Sequence, residues 1–370
     1  MKIGVPTEIK NNENRVGITP AGVSLLVRSG HEVSVQKGAG LGSGIYDRDF
    51  EGAGARIVET AEEAWSQKMV IKVKEPLESE YKYFREDLIL FTFLHLAAEE
   101  ALTKALVDSK CKAIAYETVQ EGHSLPLLRP MSEVAGRRAT IVVATQLEKH
   151  RDGRGILLSG VPGVSRGNVV VLGGGTAGVS AARMAVGLGA NVTILELNEH
   201  KIRLLEDIFD KQVTVLKSNP YNIQEVLKTA DGLISTILIP GAKAIKIVTE
   251  DMVKEMPEGS VIVDVSIDQG GSIETIDHIT THDDPVFKKH GVIHYSVANM
   301  PGAVPRTATF ALTNATIPYA LEIANKGYKK ACIESDALCM GLNVLNGHIT
   351  YQAVADAFGY DFKDPKSILK

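Results

Sequence analysis

The segment Val169-Val170-Val171-Leu172-Gly173-Gly174-Gly175-Thr176-Ala177-Gly178 constrains this chain more than any other. Its apolar start reads as a buried strand, and Val179–Leu188 reads as a helix. Between them lies Gly-x-Gly-x-x-Gly. Gly173 permits the tight turn, Gly175 lets the backbone approach a pyrophosphate, and Gly178 lets helix and strand pack closely. The helix N-terminus adds unpaired N–H groups and a partial positive charge. A glycine triplet alone is a weak signal, but here an acid closes the next strand. Glu196 stands 23 residues beyond Gly173, near the spacing of a ribose-binding carboxylate. At ~4 Å and an effective dielectric of ~20, that carboxylate would oppose a 2′-phosphate by up to ~4 kcal/mol per unit charge. The expected cofactor is therefore NAD rather than NADP. Lys201 either softens that preference or belongs to a solvated helix face.

Short apolar runs alternate with helical patterns on both sides of this motif, which predicts α/β layering with parallel strands. The early strand candidates are Ile3–Val5, Val33–Val35, Met69–Val73, Leu88–Phe93 and Ala113–Tyr116. Thr19-Pro20 starts a helix, with the hydroxyl at the N-cap and proline at the first helical position, and Gly30 ends it. Pro126 and Pro130 break the pattern, and a helix follows over 132–149. The later strand candidates are Val169–Leu172, Val192–Glu196, Val213–Leu216, Gly232–Ser235, Val261–Val265 and Val292–Tyr295. A helix over 307–325 then leads the chain back. The expected architecture is two doubly wound parallel-sheet domains, one of them a Rossmann dinucleotide-binding domain. The boundaries are 1–128 plus 306–370 for a substrate domain and 129–305 for the NAD-binding domain.

Composition narrows the function. A chain of 370 residues exceeds one ordinary core. Its net charge of −5 argues against general nucleic-acid binding, which needs a basic surface. The three cysteines are widely spaced and form neither a disulfide framework nor a zinc pattern, so a reducing compartment is expected. The ten histidines show no ligand spacing, and no metal is expected. No apolar run approaches the ~20 residues of a membrane helix, and the N-terminus is unlike a signal peptide. A cytoplasmic protein without a membrane role is the expectation.

Four polar residues stand out in the N-terminal half. Arg15 lies in the polar loop Asn11–Gly17. Lys74, His95 and Glu117 each follow a strand candidate, at the edge where open parallel sheets collect ligands. Each also has a plain structural alternative: solvation for the cations, hydrogen bonding for the histidine, capping or pairing for the glutamate. Two later strand-end loops, Asp264–Gly271 and Val297–Gly302, are either turns or ligand contacts.

Taken together, these segments resemble the alanine dehydrogenases, whose fold is shared with the soluble nucleotide-binding part of proton-translocating transhydrogenases. The resemblance spans essentially the whole chain. It rests on Gly4–Glu8, Asn14–Gly17, Phe93–Ala97, Met131–Gly136, Gly173–Gly178, Asp264–Gly271 and Ala298–Pro301. It implies reversible NAD-dependent deamination of L-alanine to pyruvate and ammonia, in a homohexamer. It assigns substrate binding to Arg15 and Lys74 and acid/base work to His95 and Asp268. Nucleotide contacts fall to Ser132, Gly173, Gly175, Thr176, Ala177, Gly178, Glu196, Lys201, Ser218, Ile237, Leu238, Val265, Ser266, Ile267, Asp268, Val297, Ala298, Asn299 and Met300. An arginine that touches the cofactor in some members is replaced near that position by Asp277, so this contact is not carried over. The chemistry suits the roles: an arginine fork grips a carboxylate, an ammonium stabilises a developing oxyanion, and imidazole exchanges protons near neutrality. The alternatives are a transhydrogenase subunit, a dehydrogenase for a related amino acid, and an NAD-binding sensor without turnover.

Overall fold

Apolar runs that read as strands in the sequence pair into two sheets. The computed structural model describes residues 1–237 and 246–370. The chain divides into one unit of Met1–Met131 with Val304–Lys370 and a second of Ser132–Ala303. In chain order the strands are β1 (Lys2–Val5), β2 (Glu32–Gln36), β3 (Arg56–Val58), β4 (Met69–Ile71), β5 (Ile89–Thr92), β6 (Lys112–Ala115), β7 (Asn168–Leu172), β8 (Asn191–Glu196), β9 (Val213–Lys217), β10 (Gly232–Ser235), β11 (Val261–Asp264), β12 (Val286–Lys289), β13 (Val292–Tyr295), β14 (Leu342–Leu345) and β15 (His348–Ile349).

The sheet of the first unit runs β15-β14-β6-β5-β4-β1-β2-β3. From β3 to β6 its strands are parallel. The sheet of the second unit runs β12-β13-β11-β10-β7-β8-β9, parallel from β13 to β9. The doubly wound α/β expectation holds, with one refinement: β14, β15 and β12 add antiparallel edges. In each sheet the chain winds outward on one side, then returns to wind on the other. The direction reverses between β1 and β4 in the first unit and between β7 and β10 in the second. Such switch points open a crevice at the carboxyl ends of the strands.

Strand β7 shows why its run is apolar throughout. Val169 and Val171 pack on one face with Ala181, Ala182 and Ala185. Val170 and Leu172 pack on the other with Ile223 and Leu227. Both faces of a parallel strand are covered, so the alternation of a half-exposed strand is lost. Thr19 caps helix Pro20–Arg28 as its sequence predicts, accepting from the Gly22 N–H at 3.4 Å.

Helix Arg129–Gln146 begins three residues before the expected start. Pro130 lies in its first turn, where a missing N–H costs nothing, so this proline opens the helix rather than breaking the pattern. The expected helix over 307–325 is part of Pro305–Glu334, which Gly327 interrupts at a φ of 75°. Among the described residues, no helix is long and apolar enough to cross a membrane.

His294 on β13 is wholly buried. Its Nδ1 donates to the Val292 carbonyl at 3.0 Å, which leaves Nε2 to accept from the Thr275 hydroxyl at 2.8 Å. Burial, reinforced by nearby Lys289 and His290, pushes its pKa down to about 4. An unfolded histidine titrates near 6.5, so between about pH 6.5 and 4 the unfolded chain binds the extra proton and stability falls as pH falls. Thermal melts from pH 7.5 to 4.5 should show this loss, reaching a few kcal/mol at about 1.4 kcal/mol per tenfold change in proton affinity. A His294→Gln variant should show a shallower acid slope; an unchanged slope would assign the loss to other groups.

Candidate active site

The loops that leave the carboxyl ends of β1, β4, β5 and β6 carry the polar residues of the first unit. Glu8 follows β1, Lys72 and Lys74 follow β4, His95 follows β5, and Glu117 follows β6. Arg15 belongs to the loop between β1 and helix Pro20–Arg28 and is buried.

Each cation here meets a carboxylate. Glu13 takes the Arg15 fork, with Nε donating to Oε1 at 2.6 Å and Nη2 to Oε2 at 2.5 Å. Nη1 points to the Met131 sulfur at 3.2 Å. Glu75, itself buried, lies 3.7 Å from the Lys74 ammonium and accepts from Lys10. Burial favours the neutral form of Glu75, but Lys74, Lys10 and the neighbouring His95 outweigh it and hold the carboxyl below its ordinary range. Lys74, Glu75 and His95 therefore share one electrostatic neighbourhood.

Beneath them lies a buried triad. The Lys72 ammonium sits 2.9 Å from Glu8 and 3.1 Å from Glu80, and all three side chains are 5% exposed or less. Burial alone would discharge Lys72, but the two carboxylates hold it above the ordinary lysine range. Glu8 also fixes the backbone below Lys74, accepting from the N–H groups of Val73 at 2.6 Å and Lys74 at 3.4 Å. Sequence reasoning missed Glu8, Glu13, Glu75 and Glu80 as site elements. The available signal covered two of them, Glu8 three residues past a strand end and Glu75 beside Lys74; Glu13 and Glu80 carried none.

The second unit gathers its residues on the equivalent edge. Gly173 turns the chain at a φ of 99°. A Cβ on Gly178 would stand 1.8 Å from the Gly173 carbonyl oxygen, which excludes any side chain. Gly175 is the N-cap of helix Thr176–Gly187 with no side-chain cap bond, and among the described residues a Cβ there would meet nothing within 4 Å. Thr176 is exposed and Ala177 half-buried. Together they form an open cradle of N–H groups at a helix N-terminus.

Glu196 ends β8 and reaches back into this loop. Its Oε2 accepts from the Gly174 N–H at 2.8 Å, and Oε1 accepts from Leu197 at 2.8 Å and Asn198 at 2.9 Å. A carboxylate has about four acceptor positions, and these three bonds among the described residues leave room for one further donor. Lys201 is exposed on the following helix, and the half-buried Ser218 follows β9. Thr236, which sequence reasoning also missed, ties β10 to the glycine loop by donating to the carbonyls of Leu172 and Gly173, both at 3.1 Å. Ile237 is next and half-buried, while Leu238 lies outside the described residues.

Val265, Ser266, Ile267 and Asp268 follow β11, and Asp268 is exposed. The nearby Asp264 is spent on the turn, accepting from Ser266 at 3.0 Å and Ser272 at 2.8 Å, and burial raises its pKa. Val297, Ala298, Asn299 and Met300 follow β13, with Asn299 at a φ of 60°. Ser132 is half-buried on helix Arg129–Gln146, whose Gly136 packs against the Ala177 backbone.

The triad generates a stability prediction. Replacing Lys72 by Met strands two buried carboxylates and should cost about 3–5 kcal/mol in urea unfolding. The combined Glu8→Gln, Lys72→Met and Glu80→Gln variant should recover much of that loss. A cost for Lys72→Met below about 1 kcal/mol would show that water or relaxation compensates the charges.

Comparison with known proteins agrees along the whole chain. The alanine dehydrogenase/PNT N-terminal domain profile matches residues 4–135, and the C-terminal domain profile matches residues 139–352. Alanine dehydrogenase of Bacillus subtilis (strain 168) is 60% identical over 370 residues, covering 100% of this chain and 98% of that protein. A solved L-alanine dehydrogenase structure superposes with a TM-score of 0.94 at 50% identity, covering 97% of this chain and 99% of the other. A transhydrogenase from Sinorhizobium meliloti shares the fold, with a TM-score of 0.82 at 23% identity and coverage of 95% and 100%. The chain thus belongs to the alanine dehydrogenase/PNT family.

Proposed function

We propose that this chain is an NAD-dependent L-alanine dehydrogenase, catalysing the reversible oxidative deamination of L-alanine to pyruvate and ammonia. The observation that carries this reading is the full-length likeness to an alanine dehydrogenase. The second unit suits a dinucleotide: the open helix N-terminus takes the pyrophosphate, and Glu196 takes a ribose hydroxyl. The Glu196 carboxylate opposes a 2′-phosphate and supports NAD over NADP. Ser132, Thr176, Ala177, Lys201, Ser218, Ile237, Leu238, Val265–Asp268 and Val297–Met300 complete the proposed nucleotide set.

When bound, NAD accepts the hydride of Cα, so that L-alanine, NAD and water give pyruvate, ammonium, NADH and a proton. Arg15 binds the substrate carboxylate. Its Nη1 exchanges a weak sulfur acceptor for a carboxylate oxygen, while Glu13 fixes the guanidinium plane. The Lys74 ammonium stabilises negative charge on the carbonyl or carbinolamine oxygen, steadied by Glu75. His95 and Asp268 carry the protons that the amine loses before oxidation and that water loses on attacking the imine. Homohexameric assembly and a cytoplasmic location come with the same family resemblance.

The test follows NADH absorbance with NAD and L-alanine, beside L-serine, glycine, L-lysine and D-alanine. L-Alanine should turn over, and NADP should be at least about tenfold poorer than NAD. His95→Ala and Asp268→Ala should each lower kcat by about 100-fold or more with NAD binding kept. NAD binding without turnover of any amino acid would point to a transhydrogenase-like or sensory protein.

The proton released sets the pH dependence of the equilibrium. The product-to-substrate ratio should rise about tenfold per pH unit while alanine and ammonium keep their charges, as proton linkage requires. End-point NADH at pH 7, 8 and 9 measures it, and a flat series would remove oxidative deamination as the reaction.

A further inference from the structure

Glu117 stands outside the chemistry given to Arg15, Lys74, His95 and Asp268, yet its geometry ties it to His95. Strands β5 and β6 are parallel neighbours, with Thr92 beside Ala115. His95 and Glu117 therefore leave adjacent strands on the same edge, three and two residues beyond that register pair. His95 has φ 51° and ψ 35°, a left-handed backbone that is strained for a residue bearing a side chain. Such a conformation persists where its surroundings over-determine it.

Glu117 supplies that determination. Its carboxylate accepts the Leu94 N–H on both oxygens, at 3.2 Å each, and the His95 N–H on Oε1 at 2.6 Å. Two consecutive N–H groups converging on one anion form a backbone nest, closed here by a side chain of the same sheet edge. The glutamate is mostly buried, with its side chain 15% exposed against 36% for His95. Oε1 also lies 4.0 Å from His95 Nδ1, within range of attraction when the ring is protonated. The Phe93 ring stacks parallel to the imidazole, with 5.8 Å between centroids.

We infer that Glu117 is a positioning residue for His95: its carboxylate holds the left-handed turn that aims the imidazole at the substrate. This rests on the acid/base role proposed for His95. In this scheme Glu117 carries no proton; its oxygens hold the Leu94 and His95 N–H groups. Its loss should lower kcat without weakening either ligand, since Arg15, Lys74 and the glycine loop are untouched.

The test uses the full-length protein and compares Glu117→Gln, Glu117→Ala and His95→Gln. Glutamine keeps the shape, but its NH2 group faces N–H donors in place of one oxygen. Glu117→Gln should lower kcat at least about tenfold through misplacement of the imidazole. The KM for L-alanine and the dissociation constant for NAD should stay within about threefold of the parent, because their binding groups remain. Glu117→Ala should lose more, and formate should restore part of its kcat where chloride at equal ionic strength does not.

A kcat for Glu117→Gln within about twofold of the parent would overturn the inference. So would a loss carried wholly in KM, a loss in Glu117→Ala that formate leaves unchanged, or a Glu117→Gln chain that is unfolded at 25 °C. His95→Gln separates the two levels. Activity retained in His95→Gln sinks the reading of His95 itself, whereas an inactive His95→Gln beside a fully active Glu117→Gln sinks only the inference.

Discussion

Parallel strand order is the constraint on which both units depend. A strand that must rejoin its sheet in the same direction needs a crossover, so the carboxyl end of every parallel strand opens into a loop on one edge. Polar side chains kept out of the doubly covered interior collect there. In the first unit this edge carries Glu8, Lys74, His95 and Glu117; in the second it carries the glycine loop, Glu196, Ser218 and Asp268. Where the winding reverses, the loops diverge and leave a crevice. Glu8 and Lys74 flank that reversal in the first unit, as Gly173 and Thr236 do in the second.

Charge balance is the second theme of the first unit. Arg15 meets Glu13, Lys74 and Lys10 meet Glu75, Lys72 meets Glu8 and Glu80, and Glu117 lies beside His95. Several of these groups are nearly inaccessible, where an unpaired charge would cost several kcal/mol. Pairing keeps Lys72 charged despite its burial and fixes the direction of the paired cations. It also lowers their net pull on a simple anion. A small amino acid carries both a carboxylate and an amine, so a balanced, directional set of donors and acceptors suits it better than a bare positive field.

The sequence showed the central strands well because their burial is two-sided. Val169–Leu172 is apolar at every position since both faces are covered, and Gly232–Ser235 and Val292–Tyr295 coincide with their expected limits. Three of the four edge strands escaped the sequence for the opposite reason, whereas the fourth, Val213–Lys217, was expected. Arg56–Val58, Val286–Lys289 and His348–Ile349 are short and half polar, and pairing on one side only leaves no distinctive pattern. Leu342–Leu345 is apolar and buried, but Asn343 interrupts its run and the preceding helix blurs its start. Cations and the histidine at strand ends were likewise apparent, since an isolated polar residue after an apolar run stands out. Their acidic partners were not: Glu13, Glu75 and Glu80 occur among other polar residues, and only the folded chain shows which of them is buried.

Glu196 shows how one side chain can join two features that the sequence presents separately. The spacing from Gly173 marks it as a ribose partner, a role that asks for an accessible carboxylate. The folded chain puts it to work first on its own backbone, where Gly174, Leu197 and Asn198 use three of its acceptor positions. The bond to Gly174 crosses from β8 to the loop after β7, so the acid fixes the strand end and the turn beside the helix N-terminus as one piece. An arriving nucleotide then finds the loop ordered in advance, which reduces the conformational entropy lost on binding. Under the proposed nucleotide role, the negative charge that would disfavour a 2′-phosphate is also the charge that holds the glycine turn in place, which would couple nucleotide selectivity to loop geometry at this position.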